Sequence, residues 1–357
     1  MTYLNHKLST ISTHMIKEVP VPRQFAFTIQ ENAMQNFFAR RRANFFPASK
    51  EIALEKIIYS SIKLGKSFKL FIKYEILLTR DNGTKNQHAV YAIHRFGGAS
   101  KNEFRILHYL WHHGWSGGKL AVQRPLYFFS NEKTIMYEGL SGVPLIQSLP
   151  KLNQKKISLI FSSIAEMTRK LHSMSVPFHI KNSFQKELQK AKAFTKDFLV
   201  FFPHRKTELS FIKRKVFSLK EQFIKKYSDS FCLTHNDFTL GNILWRNETQ
   251  KLGLIDFSES CIYDPLIDLG TLFAQLDYLH LNQTLPHSFV DSLKRSFIQK
   301  YTRGGRKIMQ LAERLNLYQA WGAFQNAIFT LAPAEKKHNK VLAEELINKA
   351  LNYLQKI

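Results

Sequence analysis

Alternating apolar and polar residues predict strands in the first third of the chain. Apolar side chains recur at every second position from Phe68 to Leu78, a period typical of a half-buried strand. Asp81-Asn82-Gly83 is a turn sequence, and Ala89–Phe96 is predicted to be a second strand. Thr134–Tyr137 is a further predicted strand, whereas the spacing over Ser49–Ser60 predicts a short amphipathic helix. Together these elements predict a first lobe that is rich in hairpins.

Helical periodicity dominates the remainder of the chain. One helix is predicted over Asn102–His112, where Ser100 and Glu103 have the spacing of a capping box. A second has apolar residues such as Ile157 and Leu171 on one face. The other predicted helices are Phe184–Phe201, Glu208–Tyr227, Leu269–His280, Ser288–Tyr301, Gly304–Leu315, Tyr318–Leu331 and Lys340–Gln355. The predicted fold class is therefore α+β, with a small β-rich lobe that carries one helix and a larger, mainly helical lobe.

The chain is predicted to divide into three segments. Residues 1–48 form an N-terminal extension, because prolines interrupt them and periodicity is absent until residues 33–38. Residues 49–139 form the first lobe and residues 140–357 the second. A chain of 357 residues is long enough for two such lobes.

Several features of the sequence predict a cytoplasmic location. Met1–Glu18 is polar and interrupted, so it has no hydrophobic signal region. No apolar run approaches the length that spans a bilayer. Cys232 and Cys261 are the only cysteines, so no disulfide framework is implied, which suits a reducing cytosol.

Four polar residues near the ends of strand-like apolar stretches form the candidate catalytic group. They are His235, Asp237, Asn242 and Asp256, in the segment 234–269 that we call the catalytic segment. Phosphoryl transfer from a nucleotide needs one carboxylate that orients the acceptor and oxygen ligands that hold Mg²⁺ against the phosphates. An Asp five residues before an Asn, followed by a second Asp on a strand, can supply all three. The sequence therefore predicts an ATP-using phosphotransferase.

Three linked motifs in this segment resemble those of the aminoglycoside phosphotransferase and choline kinase branch of the protein-kinase-like fold. The motifs are H-x-D-x-x-x-x-N from His235 to Asn242, Ile255-Asp256-Phe257, and D-P-x-x-D-L from Asp264 to Leu269. The resemblance implies the two-lobed protein-kinase-like fold, with ATP and Mg²⁺ as cofactors. It also implies that the hinge between the lobes corresponds to Met136–Glu138, so that ATP lies beside Tyr137 and Gly139.

The same resemblance implies a role for each motif residue. Asp237 would be the catalytic base, and His235 would pack and hydrogen-bond the catalytic loop. Asn242 and Asp256 would be the Mg²⁺ ligands. Asp268 would accept backbone N–H bonds from the loop at a helix start, where simple helix capping is the alternative.

The predicted first lobe departs from the family pattern at the phosphate-binding cation. No G-x-G-x-x-G loop is present. The family carries a phosphate-binding Lys or Arg on its third strand, and the corresponding strand here, Ala89–Phe96, carries His94 and Arg95. These two residues face opposite sides of a strand, so only one can contact phosphate, and we slightly favour Arg95. Glu103 is the natural partner for that cation, although the capping box explains it equally well.

The positive charge of the chain favours anionic partners. Lys and Arg total 52 against 27 acidic residues, a formal charge of +25, and Lys181–Lys226 alone holds 13 basic and 4 acidic residues. A polycationic acceptor such as an aminoglycoside is therefore disfavoured, and a neutral or anionic hydroxyl compound such as a sugar or amino sugar is expected. Two alternatives remain: a pseudokinase that docks on an acidic protein or membrane surface, and a nucleic-acid-binding protein, for which no recognition motif is present.

Overall fold

A computed structural model describes residues 16–64, 67–95, 100–178, 180, 184–303, 308–331 and 337–357. Within these residues the strands, β1 to β13, are Ile16–Glu18, Glu51–Leu64, Ser67–Thr79, Lys85–His94, Ser116–Gly117, Leu120–Val122, Pro125–Phe129, Thr134–Glu138, Val143–Pro144, Cys232–Thr234, Ile243–Arg246, Lys251–Leu254 and Cys261–Tyr263. The α-helices, α1 to α11, are Ala26–Ile29, Glu31–Phe45, Ser100–Leu110, Leu145–Ser148, Gln154–His172, Phe184–Phe201, Lys206–Tyr227, Leu266–Leu281, His287–Tyr301, Leu311–Leu331 and Lys337–Gln355. The predicted α+β class is confirmed.

Two compact units divide the described chain. The first unit comprises residues 16–142 together with Arg246–Ser258, and the second comprises Val143–Trp245 with Glu259–Ile357. The first unit therefore includes β12 and the turn that carries Asp256, which follow β11 in sequence.

An antiparallel sheet with the strand order β1-β2-β3-β4-β8-β7 forms the centre of the first unit. Helix α2 packs on one face of this sheet through Met34, Phe37, Phe38 and Phe45. These side chains meet alternate residues of β3 and β4, among them Tyr74, which is fully buried. Burial of this aromatic-rich face is the main stabilisation of the unit.

The predicted helix over Ser49–Ser60 is wrong, because these residues begin the long strand β2. Strand β2 pairs with β3 from Glu51 opposite Thr79 onwards. A bulge between Leu54 and Lys56 shifts the register, so apolar residues continue at positions 57 and 58 instead of alternating. The apolar residues at positions 54, 57 and 58 therefore have the spacing of a helix face in the sequence, although the backbone there is an extended strand.

The second unit contains two short antiparallel strand pairs and helices α4 to α11. Strand β10 pairs with β13, and β9 pairs with β11. Helices α8 and α10 approach closely at Gly270, where an added Cβ would lie 2.3 Å from the Cβ of Tyr318. Only glycine allows this backbone separation. Among the helices of the described residues, none is both long and apolar enough to span a bilayer.

The predicted helices of the second lobe are confirmed apart from one division. The predicted pair Gly304–Leu315 and Tyr318–Leu331 is a single helix, α10, over Leu311–Leu331, and residues 304–307 lie outside the described residues. Asn316 and Leu317 continue this helix without a break. Buried residues lie on several faces of the helix, so its apolar positions do not form the single stripe from which a helix boundary could be read. The predicted extension likewise lies partly outside the described residues, which begin at residue 16.

Candidate active site

A loop that follows β10 holds the candidate base, Asp237, in the second unit. The loop carries residues 235–242 between β10 and β11, and Asp237 is half-buried. Nδ2 of Asn242 donates to the backbone oxygen of Asp237 at 2.7 Å and to its Oδ2 at 3.0 Å. Asn242 is fully buried, so its amide fixes the direction of the Asp237 carboxylate.

Asp268 supports the start of this loop from the first turn of α8. Its carboxylate accepts the backbone N–H of His235 at 2.8 Å and that of Asn236 at 2.7 Å. Asp268 is fully buried, and the backbone of Asn236 has a φ of 60°, in the left-handed region. The two backbone hydrogen bonds that the sequence predicts for Asp268 are therefore present, and they hold the loop in a conformation that a free chain disfavours.

His172 is a supporting residue that the sequence analysis did not assign to the site. Its Nε2 lies 2.9 Å from Oδ2 of Asp268, and its Nδ1 lies 2.7 Å from the hydroxyl of Tyr301. A carboxylate only accepts hydrogen bonds, so Nε2 of His172 is the donor. His172 is the last residue of α5, the helix whose apolar face the sequence predicts.

His235 lies inside the second unit beneath the loop. It is fully buried, and its ring meets that of Phe238 edge-on, with centroids 6.0 Å apart. Its backbone oxygen accepts the hydroxyl of Ser260 at 3.1 Å. These contacts are those of a residue that packs the loop.

A buried ion-pair cluster of Arg95, Glu103 and Asp256 occupies the first unit. Nε and Nη2 of Arg95 contact the two carboxylate oxygens of Glu103 at 2.5 and 2.8 Å, and Nη2 lies 3.0 Å from Oδ1 of Asp256. Burial opposes the charge of Arg95, but Asp256 and Glu103 outweigh it and raise the pKa of the guanidinium well above its ordinary value. The guanidinium of Arg95 is therefore permanently charged, and the two carboxylates hold it in a fixed orientation.

His94 and Arg95, the two candidates for the phosphate-binding cation at the end of β4, occupy different surroundings. His94 lies on the opposite face from Arg95, where its Nδ1 is 2.8 Å from the backbone oxygen of Glu132 and its ring centroid is 4.7 Å from that of Phe25. Burial lowers the pKa of His94, so the ring is neutral near pH 7. Glu103 forms a bidentate ion pair with Arg95. The capping alternative does not exclude this pair, and the side chain of the predicted capping partner Ser100 lies outside the described residues.

Asp256 has an unusual backbone conformation. Strand β12, which pairs in parallel with β6, leads into it, and its φ is 67°. The hydroxyl of Ser258 donates to Oδ1 of Asp256 at 2.7 Å. Aspartate adopts the left-handed region more readily than most residues, so this conformation suits the side chain at the end of β12.

The predicted hinge residues end strand β8. Tyr137 is buried, and burial raises its pKa far above the usual range for tyrosine. The N–H of Gly139 donates to the backbone oxygen of Ala89 at 2.9 Å, and an added Cβ would lie 2.7 Å from Cε2 of Tyr91. A larger residue at position 139 would therefore have to displace the ring of Tyr91, which lies on β4.

The oxygen atoms of Asn242 and Asp256 suit Mg²⁺. Across the described residues no group of three or more His, Cys, Asp and Glu side chains converges on a metal position. Mg²⁺ in phosphotransferases needs no such cage, because one or two protein oxygens combine with phosphate oxygens and water. The residues are therefore chemically compatible with the metal.

Comparison with known proteins identifies the family. The model of the phosphotransferase enzyme family (APH) matches residues 79–311, which is more than half of the chain. Choline kinase from Cryptosporidium parvum is 13% identical, with 92% of this chain and 96% of that one covered and a TM-score of 0.55. Ethanolamine kinase from Plasmodium vivax is 14% identical, with 92% and 91% covered and a TM-score of 0.51. These two structures share the kinase-like fold, whereas no curated protein sequence matches the chain. The chain belongs to the phosphotransferase enzyme family.

Proposed function

We propose that this protein transfers the γ-phosphate of ATP to a hydroxyl group of a small molecule, in a reaction that requires Mg²⁺. The observation that carries the proposal is the loop at Asp237, whose carboxylate is oriented by Asn242 and whose backbone is held by Asp268. A binding module would not need a carboxylate positioned in this way, so no observation favours the pseudokinase alternative.

Asp237 acts as the base in this proposal. The acceptor hydroxyl donates a hydrogen bond to its carboxylate, which orients the oxygen for in-line attack. The carboxylate takes the proton as the new P–O bond forms and the bond between the γ-phosphorus and the departing ADP breaks. Asn242 keeps one carboxylate oxygen in place through the 3.0 Å contact from its Nδ2. Positioning supplies most of the rate enhancement in such a site.

Arg95 is the proposed phosphate-binding cation. Its contact with Glu103 fixes the guanidinium, so little side-chain entropy is lost when phosphate binds. We assign Asn242 and Asp256 as the Mg²⁺ ligands on the basis of the sequence motifs, and we place ATP beside Tyr137 and Gly139 on the same basis. The metal would neutralise charge on the phosphates.

The acceptor is proposed to be neutral or anionic, and the protein is proposed to work in the cytoplasm. The support for the first point is the charge of the chain, +25, which repels polycations such as aminoglycosides. Sugars, amino sugars and polyols are the compounds to screen first.

The test is ADP release in the presence of Mg²⁺, ATP and a panel of hydroxyl compounds. Replacement of Asp237 by Asn should reduce kcat by about 10²- to 10⁴-fold, the usual contribution of a positioned base. Asp229→Asn is the matched control, because Asp229 is exposed in the same unit. An Asp237→Asn enzyme as active as the control would contradict the proposal.

A further inference from the structure

Two lysines of helix α6 lie beside the catalytic loop through a shared partner. The side chain of Asn236, which precedes Asp237, donates from Nδ2 to the backbone oxygen of Glu259 at 3.2 Å. The carboxylate of Glu259 in turn contacts Nζ of Lys186 at 3.4 Å and Nζ of Lys190 at 3.1 Å. One carboxylate is thus shared by two ammonium groups, and the backbone of the same glutamate is bonded to the residue that precedes the proposed base.

The second acidic residue of this region, Glu187, pairs with a third lysine. Glu187 lies between the two lysines in sequence, but its carboxylate contacts the fully buried Nζ of Lys220 at 2.8 Å. In these ion pairs three lysines share two carboxylates, and Lys186 and Lys190 have one carboxylate between them. A buried ammonium such as that of Lys220 requires its carboxylate, so Glu187 stays committed to it.

The two lysines that share Glu259 are the accessible lysines of this cluster. The side chains of Lys186 and Lys190 are 51% and 39% exposed, whereas that of Lys220 is 0% exposed. The two accessible lysines are one helical turn apart on α6, so their ammonium groups can converge on one ligand. An anion that binds there would displace or share Glu259 without exposing a buried charge.

We propose that Lys186 and Lys190 bind an anionic group of the acceptor, so that the substrate is a hydroxyl compound that also carries a phosphate or carboxylate. This inference rests on the proposed function, because it takes Asp237 as the residue that receives the acceptor hydroxyl. The anion is held by the lysine pair, and a hydroxyl of the same molecule reaches Asp237. Arginine would bind such a group more rigidly, whereas two lysines act as point charges that accept either oxyanion.

Binding of matched hexose derivatives tests the inference. Calorimetry with the nucleotide site filled by Mg²⁺ and a non-hydrolysable ATP analogue would compare glucose 6-phosphate, gluconate, glucose and glucosamine, with inorganic phosphate as the minimal anion. We expect the anionic ligands to bind at least about tenfold more tightly than glucose, since one charge-assisted contact is worth about that factor. The phosphate and carboxylate members show which oxyanion is preferred.

Three double variants connect the binding to these lysines. Lys186→Ala with Lys190→Ala should weaken binding of the anions by about tenfold or more, whereas Lys186→Arg with Lys190→Arg should retain it. Lys192→Ala with Lys196→Ala is the control, because both residues are exposed on the same helix and the loss of charge is equal. If the pair had a purely structural role, the double alanine variant would have a lower melting temperature, and its affinities for the anions and for glucose would change equally.

Several outcomes would overturn the inference. These are equal binding of glucose and the anions, tighter binding of glucosamine, no binding of any anion, or equal losses in the two alanine variants. Binding of the ATP analogue, measured in parallel, separates this failure from that of the proposed function. Intact nucleotide binding without anion selectivity overturns the lysine site alone, whereas absent nucleotide binding overturns the proposed function.

Discussion

Replacement of Asp268 by Asn tests how the catalytic loop is held. The carboxylate accepts three hydrogen bonds, from the backbone N–H groups of His235 and Asn236 and from Nε2 of His172, at 2.8, 2.7 and 2.9 Å. An asparagine has one accepting oxygen, so its NH₂ group must face at least one of these donors. The loop then loses its anchor while the shape of the side chain is preserved.

The expected loss of stability follows from these contacts. One hydrogen bond to a charged acceptor is lost, which costs about 1.5–3 kcal/mol. The remaining two change from charged to neutral acceptors, which roughly halves their strength. We therefore expect Asp268→Asn to lower the free energy of unfolding by about 3–6 kcal/mol, as measured by urea denaturation.

The loss of activity should exceed the loss expected from stability. A displacement of the loop by about 1 Å would reduce kcat by roughly 10²-fold. Asp277→Asn is the control, because Asp277 is a buried aspartate on the same helix, where Lys294 and Tyr353 contact it at 2.6 Å each. The Asp277→Asn variant should show a similar decrease in the free energy of unfolding but an unchanged kcat. An Asp268→Asn enzyme with the kcat of the control would refute the anchoring role.

Three further changes have expected outcomes. Arg95→Met leaves the buried carboxylate of Glu103 without its cation and should cost about 3–5 kcal/mol in urea denaturation, with partial recovery in the double variant with Glu103→Gln. Gly139→Ala places a Cβ 2.7 Å from Cε2 of Tyr91 and should cost about 1–3 kcal/mol, less in a Tyr91→Ala background; additive costs would contradict the clash. Burial lowers the pKa of His94 below its ordinary 6.5, so its contribution is full above pH 6.5 and is lost as the pH falls through the lowered value. Unfolding free energies measured from pH 7 to pH 5 should therefore fall less in His94→Phe than in the wild type, and equal slopes would exclude the effect.

The motifs of the catalytic segment were accessible from the sequence because each depends on local chain order. The spacing of Asp237 and Asn242 allows the amide to reach the carboxylate within one turn of loop, as the 3.0 Å contact demonstrates. The D-P-x-x-D-L motif places Asp268 in the first turn of a helix, next to the backbone N–H groups of the loop. Local sequence therefore contains most of the information about this loop.

Contacts between distant segments were not accessible in the same way. The bulge in β2 gave strand residues a helical spacing, which only the pairing with β3 resolves. The partner of Arg95 was ambiguous because alternation along β4 does not reveal which face meets α3, and the structure resolves it through the contact with Glu103. The ion pairs of Lys186 and Lys190 with Glu259 join residues that lie about seventy positions apart in sequence, so composition could indicate a basic surface but not its location.

Calorimetric binding of ATP with and without Mg²⁺, in the wild type and in Asp256→Asn, tests the central claim most directly. Asparagine tolerates the left-handed φ of 67° at this position, so the variant removes the charge while the backbone is retained. The account predicts that ATP binds tightly only with Mg²⁺ and that this dependence is lost in Asp256→Asn. Equal binding with and without the metal, or no difference between the two proteins, would contradict it.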